Sequence, residues 1–531
     1  MSRKPFFYDI TLRDGNQALK KPWNLEEKEK IFNTLIELNV NGIEIGFPHA
    51  SNMDFESTRH LAIIAPKNVV VSGLARTKKE DIDDCNKAIC EAFKPRIHTF
   101  VTLSPFHLEY VLNKSYEEVA RNAVEAVKYA RSILKKEGEI EFSVEHFGDC
   151  GENLDEVIKT LNEIVKAGAT IINLPNTVER YRPKHLVEMV EKVYKAMPND
   201  ITISVHNHND LGMATATTVE SYFVGATQLE CCLNGLGERC GNTNFYEVAV
   251  ALHNCGVETD LNYSKFYETA VMISEMSKVE IPEKSPLIGK EALAHRSGIH
   301  QDGAIKTKDM EMGAYRPIKP SMIGRENTEQ IGFTSQSGKT AIFDIISGAN
   351  YPITMQEAIR ITPYFKQKAE LVGELNLDEM IKLYFDTVFE VKGPFKLITF
   401  KELSKDKYKL KFEYNEKLFE LESNGNGPVD ACLMGLRQAG FEQKLLHYEQ
   451  KALDEDKLGS GAHAMSVIYF EDKEKNQIIA RACDTSTQKA NVKAIFNGLN
   501  ILSNSYKDGL TRVQQVDFIH QRGLILENQK R

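Results

Sequence analysis

Short runs of β-branched and apolar residues alternate with longer amphipathic segments along about the first 250 residues of the chain. This alternation is typical of βα units around a parallel sheet. Eight repeats favour a closed (β/α)8 barrel, the TIM barrel, over an open doubly wound sheet, and no GxGxxG motif follows the first strand. The predicted strands are Phe6–Leu12, Gly42–Phe47, Val69–Leu74, Arg96–Leu103, Glu139–Glu145, Thr170–Pro175, Ile201–His208 and Gln228–Asn234.

Capping signals support helices between these strands. Glu118 follows Ser115 by three residues, which is the spacing of a capping box, and Glu156 follows Asn153 in the same way. Gly168 occupies the position of a helix C-terminal glycine at the end of the second segment. We therefore predict helices that begin after Ser115 and Asn153, the second of which ends at Gly168.

Beyond the barrel the hydrophobic pattern changes twice. Residues 261–392 are mostly helical and polar, which we interpret as linker subdomains after a catalytic barrel at 1–260. Residues 393–531 contain two similar β-β-α units, and this duplication predicts a small-molecule-sensing α+β domain built from two matching halves. Its predicted strands are Tyr408–Tyr414, Leu418–Glu422, Met465–Phe470 and Gln477–Ala482, and its helices begin near Pro428 and Thr487.

Polar side chains gather at the carboxyl ends of the predicted barrel strands, where enzymes of this architecture place their catalytic groups. They are Arg13 and Asp14 after strand one, His98 in strand four, Glu145 at the end of strand five, Thr177 after strand six, His206 and His208 at the end of strand seven, and Asn242 after strand eight. Their shared position predicts one active site at this end of the barrel.

His206 and His208 are two residues apart on a strand, so both imidazoles point to the same face. With the carboxylate of Asp14 they form a donor set that suits Zn²⁺, Mn²⁺, Co²⁺ or Mg²⁺ and leaves coordination positions open for substrate oxygens. The alternative is that the two histidines only cap the strand. The polar residues at the other strand ends favour the metal site, but the sequence does not choose the ion.

Four further candidate site residues each have two interpretations, one catalytic and one purely structural. Arg13 offers a fixed fork of donors for an oxyanion on a ketone, or it forms a salt bridge to Asp14. Glu145 could relay a proton or order a substrate carboxylate through water, or it belongs to a structural ion pair. His98 and Thr177 are singled out by position alone, and a satisfied interior histidine and a strand-forming threonine are the alternatives.

Composition narrows the classes of function. The 531 residues are 42% hydrophobic and 27% charged, as in ordinary globular proteins. The net charge of -9 argues against general attraction to nucleic acid or to anionic membranes. Nine scattered cysteines indicate neither a disulfide framework nor a cysteine zinc site. The N-terminal residues lack the apolar run of a signal peptide, so the cytoplasm is the expected location.

Three motifs, in order along the chain, resemble the signatures of metal-dependent TIM-barrel lyases and Claisen-condensing synthases. They are Thr11–Gly15 (TLRDG), His206–Gly212 (HNHNDLG) and Gly235–Asn242 (GLGERCGN). Within that group the chain is most similar to the 2-isopropylmalate synthase family. That similarity spans nearly the whole chain, and the motifs behind it are Gly46–Ser51 (GFPHAS), Ser72–Arg76 (SGLAR) and Arg96–Phe100 (RIHTF).

This resemblance implies a condensation of acetyl-CoA, as co-substrate, with the 2-oxo acid 3-methyl-2-oxobutanoate. The metal polarises the ketone, an enolate formed from the acetyl group attacks it, and water cleaves the thioester. The implied roles are metal ligation by Asp14, His206 and His208 with Asn242 as a further metal-associated position, a contact of Arg13 with the ketone oxygen, and contacts of His98, Glu145 and Thr177 with the 2-oxo acid.

The segment His295–Gly303 resembles the part of such synthases that reaches into the active site of a partner subunit. It implies a homodimer in which His300 acts as an acid or base in trans. The duplicated C-terminal units resemble the leucine-responsive regulatory domain of these synthases, which implies leucine as a feedback effector. Cys240 and Asn327 depart from the usual residues of the family and leave the proton-transfer roles open.

Several alternatives remain. Homocitrate and citramalate synthases share the metal site and differ in the pocket for the 2-oxo acid, and Gly46–Ser51 argues against both. A retro-aldol lyase on the same barrel is disfavoured by the duplicated C-terminal domain. From another class, the chain could be an inactive amino-acid sensor, although intact Arg13, Asp14, His206 and His208 speak against it.

Overall fold

Eight parallel strands close into a barrel in the computed structural model, which describes residues 4–325, 330–452 and 463–505. The first strand pairs with both the second and the eighth, so the sheet has no edge. This confirms the predicted barrel. Its strands are β1 Phe6–Asp9, β2 Gly42–Gly46, β3 Val70–Arg76, β4 Pro95–Thr102, β5 Glu139–Glu145, β6 Ile171–Asn176, β7 Thr202–Asn207 and β8 Gln228–Cys231.

Helices surround the barrel, and all but the short α4 bury apolar residues against the sheet in one continuous core. They are α1 Leu25–Glu37, α2 Asn52–Ile64, α3 Lys79–Ile89, α4 Pro105–His107, α5 Tyr116–Ile133, α6 Leu154–Ala167, α7 Pro183–Ala196, α8 Ala214–Phe223, α9 Phe245–Asn254 and α10 Phe266–Ser277. Within the described residues, no helix combines the length and the apolar character needed to cross a membrane.

Both predicted helix starts and the predicted end at Gly168 are confirmed, whereas the predicted capping hydrogen bonds are only partly formed. The hydroxyl of Ser115 accepts a hydrogen bond from the N–H of Glu118, and Gly168 ends α6 with a φ of 122°. The helix that follows Asn153 also begins as predicted, but the side chain of Asn153 makes no cap hydrogen bond. Its amide instead donates to the carbonyl of Leu103 at 3.0 Å, so a tertiary contact has replaced the local one.

The chain forms two compact units, the barrel unit of Met1–Ala294 with Thr307–Gln330 and a second unit of His295–Lys306 with Ile331–Arg531. The functional division at 260 and 392 remains a prediction.

The remaining elements are β9 Ala294–His295, β10 Gln330–Ile331, α11 Gly298–Lys306, α12 Lys339–Gly348, α13 Met355–Val372, α14 Leu377–Tyr384, β11 Phe395–Ser404, β12 Lys407–Tyr414, β13 Lys417–Asn424, α15 Pro428–Gln438, β14 Lys444–Ala452, β15 Ala464–Glu471, β16 Gln477–Asp484 and α16 Thr487–Ser505.

The second unit contains the predicted duplication and one strand more in each half. Each half is a three-stranded antiparallel sheet followed by a helix, and apolar residues of both halves share one core. The unpredicted strands, β11 and β14, lie at sheet edges and are mostly exposed, with Phe395 as their only buried side chain. Such edge strands carry charged residues, and the alternation by which a strand is recognised in a sequence is short or irregular in them.

A buried ion pair joins α13 to β16 within the second unit. The guanidinium of Arg481 binds both carboxylate oxygens of Glu357, at 2.6 and 3.2 Å, and the two side chains are 8% and 2% exposed. Glu357 also accepts from the backbone N–H of Thr354, which begins the helix. Removal of one partner would leave a buried charge unpaired.

We predict that Arg481→Met lowers the stability of the second unit by about 3 kcal/mol, because the carboxylate of Glu357 loses its counter-ion. Lys444→Met is the matched control, since Lys444 pairs with Glu471 on the surface of the same domain and exposed pairs contribute about 1 kcal/mol or less. Urea unfolding of the two variants and the wild type measures the difference. Equal effects of the two substitutions would contradict the prediction.

Candidate metal centre

Asp14, His206 and His208 come together at the carboxyl end of the barrel. One carboxylate oxygen and one nitrogen from each ring lie within 4.8 Å of one another, and all three side chains are buried. These are the three residues expected from the sequence as metal ligands. Their donor atoms are those that suit a divalent cation with open coordination positions.

Local backbone geometry brings each ligand to this point. The chain leaves β1 in a single wide turn in which the carbonyl of Ile10 accepts from the N–H of Asp14, so the predicted first strand ends early. His208, just after β7, bridges to Asn242 in the loop after β8. That loop requires glycine at position 241, where φ is 89° and a Cβ would lie 2.0 Å from the carbonyl oxygen of Gly235.

Hydrogen bonds orient the cluster for metal binding. Glu230 accepts from Nδ1 of His206 at 2.8 Å, which leaves Nε2 of His206 facing Nε2 of His208 at 3.2 Å. Asn242 donates its amide N–H to Oδ1 of Asp14 at 2.7 Å. A histidine whose second nitrogen binds a carboxylate is the usual arrangement of a metal ligand.

Buried atoms without hydrogen bonds also mark this cluster. Within the described residues, Nδ1 of His208 and Oδ1 of Asn242 are buried and make no hydrogen bond. Buried polar atoms in native structures are nearly always paired. The amide oxygen of Asn242 is therefore a further candidate to face a cation, and the residues present fit a divalent metal ion.

The charge states of the three candidates suit metal binding near neutral pH. Burial lowers the pKa of His206 to about 4, and burial together with His206 lowers that of His208 to about 3. Burial disfavours the ionised form of Asp14, but Arg13, His206 and His208 outweigh it and hold its pKa well below the usual range. The cluster therefore presents one carboxylate and two neutral imidazoles, with no proton to displace.

Arg13 links the cluster to the barrel interior. Its guanidinium donates to Asp14 through Nη1 and to Glu44 through Nε, both at 2.5 Å, so both interpretations of Arg13 remain compatible with the structure. The other oxygen of Glu44 accepts from Nδ1 of His98 at 2.5 Å, and Nε2 of His98 lies 2.6 Å from the hydroxyl of Ser143. These hydrogen bonds fix the guanidinium in place, and its Nη2 group has no partner within residues 4–325.

A second layer of buried polar residues lies deeper in the barrel. Gln228 donates to Glu141 at 2.7 Å and to Ser204 at 3.0 Å, and Ser204 donates to Glu230 at 3.2 Å. Burial raises the pKa of Glu141 to about 8 and that of Glu230 to about 6. Arg96 donates to Glu141 at 3.0 Å and supplies the neighbouring positive charge.

This supporting layer was not predicted from the sequence; it consists of Glu44, Glu141, Glu230, Arg96 and Gln228. A signal was present, because strands of an all-parallel barrel are buried on both faces and normally read as continuous apolar runs. Glutamate inside GIEIG, EIEFSVE and QLEC breaks that pattern. Which of these residues pair with one another follows only from closure of the barrel.

The other predicted site residues lie in different surroundings. Glu145 ends β5 half-buried, and no ion pair or hydrogen bond engages its carboxylate among the described residues. The hydroxyl of Thr177 accepts from the N–H of His146 at 2.8 Å. His300 is exposed on α11 of the second unit, so its role stays a prediction. Cys240 is exposed, and Asn327 lies outside the described residues.

Comparison with known proteins gives three family matches and many relatives. Residues 4–273 match the HMGL-like family, residues 291–347 the alpha-isopropylmalate synthase post-catalytic domain-like family, and residues 374–503 the LeuA allosteric (dimerisation) domain. The 2-isopropylmalate synthase 2 of Leptospira interrogans is 53% identical over 71% of this chain and 88% of its own length. The 2-isopropylmalate synthase of Campylobacter hominis is 32% identical over 94% of this chain and 98% of its own.

Among solved structures, the HMG-CoA lyase of Bacillus subtilis matches 52% of this chain and 95% of its own, with 20% identity and a TM-score of 0.45. The HMG-CoA lyase of Pseudomonas aeruginosa matches 53% of this chain and 95% of its own, with 18% identity and a TM-score of 0.46.

We predict that Glu230→Gln weakens binding of a divalent metal by about 10- to 100-fold, because a neutral amide replaces the carboxylate that orients His206. Glu139→Gln is the matched control, since Glu139 pairs with Arg96 at the start of β5. Calorimetric titration of the metal-free protein with Mn²⁺ measures both affinities. If the two substitutions change the affinity equally, Glu230 does not orient the site.

Proposed function

The chain belongs to the 2-isopropylmalate synthase family, and we propose that it condenses acetyl-CoA with 3-methyl-2-oxobutanoate to give 2-isopropylmalate and CoA. Relatives of this family that align with 94% of the chain support the assignment. The single structural observation that carries it is the cluster of Asp14, His206 and His208 beside the fixed guanidinium of Arg13. That arrangement suits a 2-oxo acid, whose ketone and carboxylate oxygens can occupy open coordination positions.

Asp14, His206 and His208 would hold a divalent ion, and the orphaned oxygen of Asn242 would complete the set. The ion, which we propose to be Mn²⁺, Zn²⁺, Co²⁺ or Mg²⁺, supplies Lewis acidity to the ketone of the substrate. Arg13 donates through its remaining Nη2 group to the same ketone oxygen. Because that group is held rigidly, it stabilises the negative charge that develops there at little cost in reorganisation.

The proposed reaction requires proton transfers in both of its stages, condensation and hydrolysis. A base removes a proton from the acetyl methyl group, the resulting carbon forms a bond to the ketone carbon, and the ketone oxygen takes up a proton. Water then adds to the thioester carbonyl, and CoA leaves as the thiol. Glu145 is the candidate to relay a proton at this face, because its carboxylate is half-buried and without a partner in the described structure.

Two residues are proposed to contact the 2-oxo acid. His98 is buried, and both of its nitrogens are occupied by Glu44 and Ser143, so its contact with the substrate would be through the carbon edge of the ring. Thr177 follows β6, and its hydroxyl still has donor capacity while it accepts from His146.

The rest of the chain is proposed to assemble and regulate the enzyme. We divide it into a catalytic barrel at 1–260, linker subdomains at 261–392 and a regulatory domain at 393–531. The match of residues 374–503 to the LeuA allosteric (dimerisation) domain supports oligomerisation. Beyond that, we propose that leucine is the effector, and that His300 enters the active site of the partner subunit in a homodimer.

We predict that release of the CoA thiol from acetyl-CoA requires both 3-methyl-2-oxobutanoate and a divalent metal. Arg13→Lys should lower kcat by about 10²- to 10³-fold, because an ammonium group cannot reproduce the rigid fork. The matched control, Arg59→Lys, alters an exposed guanidinium on α2 and should keep wild-type activity. A thiol assay with a panel of 2-oxo acids, with and without chelator, measures these effects.

That panel also separates the alternatives. A higher kcat/KM with 2-oxoglutarate would indicate a homocitrate synthase, and one with pyruvate a citramalate synthase. No metal-dependent thiol release with any 2-oxo acid would indicate an amino-acid sensor.

We predict that two inactive variants restore activity when they are mixed as subunits. Asp14→Asn disables the metal cluster, and His300→Ala disables the group proposed to act in trans. If His300 serves the partner subunit, a mixed dimer holds one site with neither defect and recovers about a quarter of wild-type activity after random exchange. Refolding or co-expression of the two variants, followed by the thiol assay, measures this. No recovery from confirmed mixed dimers places His300 outside the partner's site.

We predict that leucine lowers the activity of the full chain. A chain ending near residue 395 should stay active or partly active and should lose this inhibition, because the duplicated halves are absent. Titrations with leucine and with alanine as control, on both proteins, measure the effect. Unchanged inhibition of an active truncated chain would move the effector site out of the C-terminal domain.

A further inference from the structure

A second cluster of possible metal ligands lies at the carboxyl ends of β4 and β5. It consists of His107 at the end of α4, His146 directly after β5, and Asp149 in the short turn that follows. One ligand atom from each residue lies within 4.8 Å of the others. The cluster shares no residue with the Asp14 cluster, and the proposed reaction makes no use of it.

The two imidazoles of this cluster are unusually placed for a pair without a ligand. Their rings stack at 3.5 Å between centroids, with 26° between the planes. Nδ1 of His107 and Nδ1 of His146 are both buried and make no hydrogen bond within the described structure. His146 is only 9% exposed, so water has little access to that nitrogen. Two buried nitrogens that make no hydrogen bond are costly unless a third group serves both.

Asp149 supplies the carboxylate for such a group. Its Oδ2 lies 3.4 Å from Nδ1 of His146, while its Oδ1 faces the guanidinium of Arg180 at 3.3 Å. Arg180 thus holds one oxygen of Asp149 and leaves the other turned towards the histidines.

We propose that His107, His146 and Asp149 form a second metal site, and that it selects Zn²⁺ or a similar imidazole-binding ion. Two imidazoles and one carboxylate are an established zinc donor set that leaves one position for water. Imidazole nitrogens bind Zn²⁺ better than they bind Mg²⁺ or Ca²⁺, which prefer sites rich in oxygen ligands. Donors around one zinc ion lie at most about 4.2 Å apart, given bonds of about 2.1 Å, so small rotations of the side chains complete the site.

Metal stoichiometry of the full-length protein tests this proposal. The chain is freed of metal with a chelator, equilibrated with buffered free Zn²⁺ and analysed by atomic emission. The wild type should hold about two zinc equivalents per chain, and His107→Ala, His146→Ala and Asp149→Asn about one. His206→Ala should also hold about one, because it loses only the Asp14 cluster. His60→Ala, which changes a histidine paired with Glu29, is the control and should hold two.

Asp149→Asn keeps the shape of the side chain and guards against loss of folding, which circular dichroism checks for every variant. With Co²⁺ in place of Zn²⁺, the visible absorption of the wild type should exceed that of His146→Ala. The proposal is overturned if the wild type holds one zinc equivalent, if the three variants hold as much as the wild type, or if His206→Ala removes both equivalents. Equal Co²⁺ absorption in the wild type and His146→Ala would overturn it as well.

Discussion

The guanidinium of Arg13 lies between the carboxylates of Asp14 and Glu44 inside the mouth of the barrel. Each of these charges is buried, and a buried charge is tolerated only where it is paired and hydrogen-bonded. Arg13 therefore keeps Glu44 and Asp14 ionised against the effect of burial, and Glu44 in turn holds His98. Because Asp14 belongs to this chain of pairs, residues deeper in the barrel fix both the position and the charge of the carboxylate of the candidate metal centre.

The proposed function depends on the charges of the three residues in the cluster. Asp14 contributes a negative charge, whereas His206 and His208 are neutral because burial disfavours their protonated forms. A cation can therefore bind without displacing protons, and Arg13 contacts this cluster through Nη1, which donates to Asp14. A polarising ion and a rigid donor beside one ketone oxygen are what an enolate needs in order to attack a carbonyl carbon.

Features that depend on local periodicity could be predicted from the sequence. The eight barrel strands, the positions of His206 and His208 on one face, and the duplication after residue 393 all follow from patterns of period two or from repeats. The sequence did not predict hydrogen bonds between residues that are far apart along the chain. Asn153 donates to Leu103 instead of capping its helix, and Glu44, Glu141 and Glu230 acquire their partners only when the barrel closes. The edge strands β11 and β14 are mostly exposed and carry only short or irregular apolar alternation, which is why the sequence did not predict them.

Binding of 3-methyl-2-oxobutanoate in the absence of acetyl-CoA tests the central claim most directly, because it isolates the meeting of the 2-oxo acid with the metal centre. Titration calorimetry on the full chain, loaded with Mn²⁺ or stripped by chelator, gives the two affinities. The account predicts that the metal-loaded chain binds the 2-oxo acid at least about tenfold more tightly, a coupling of about 1.4 kcal/mol or more. Equal affinity with and without metal would contradict it, because the cluster of Asp14, His206 and His208 would then play no part in holding the substrate.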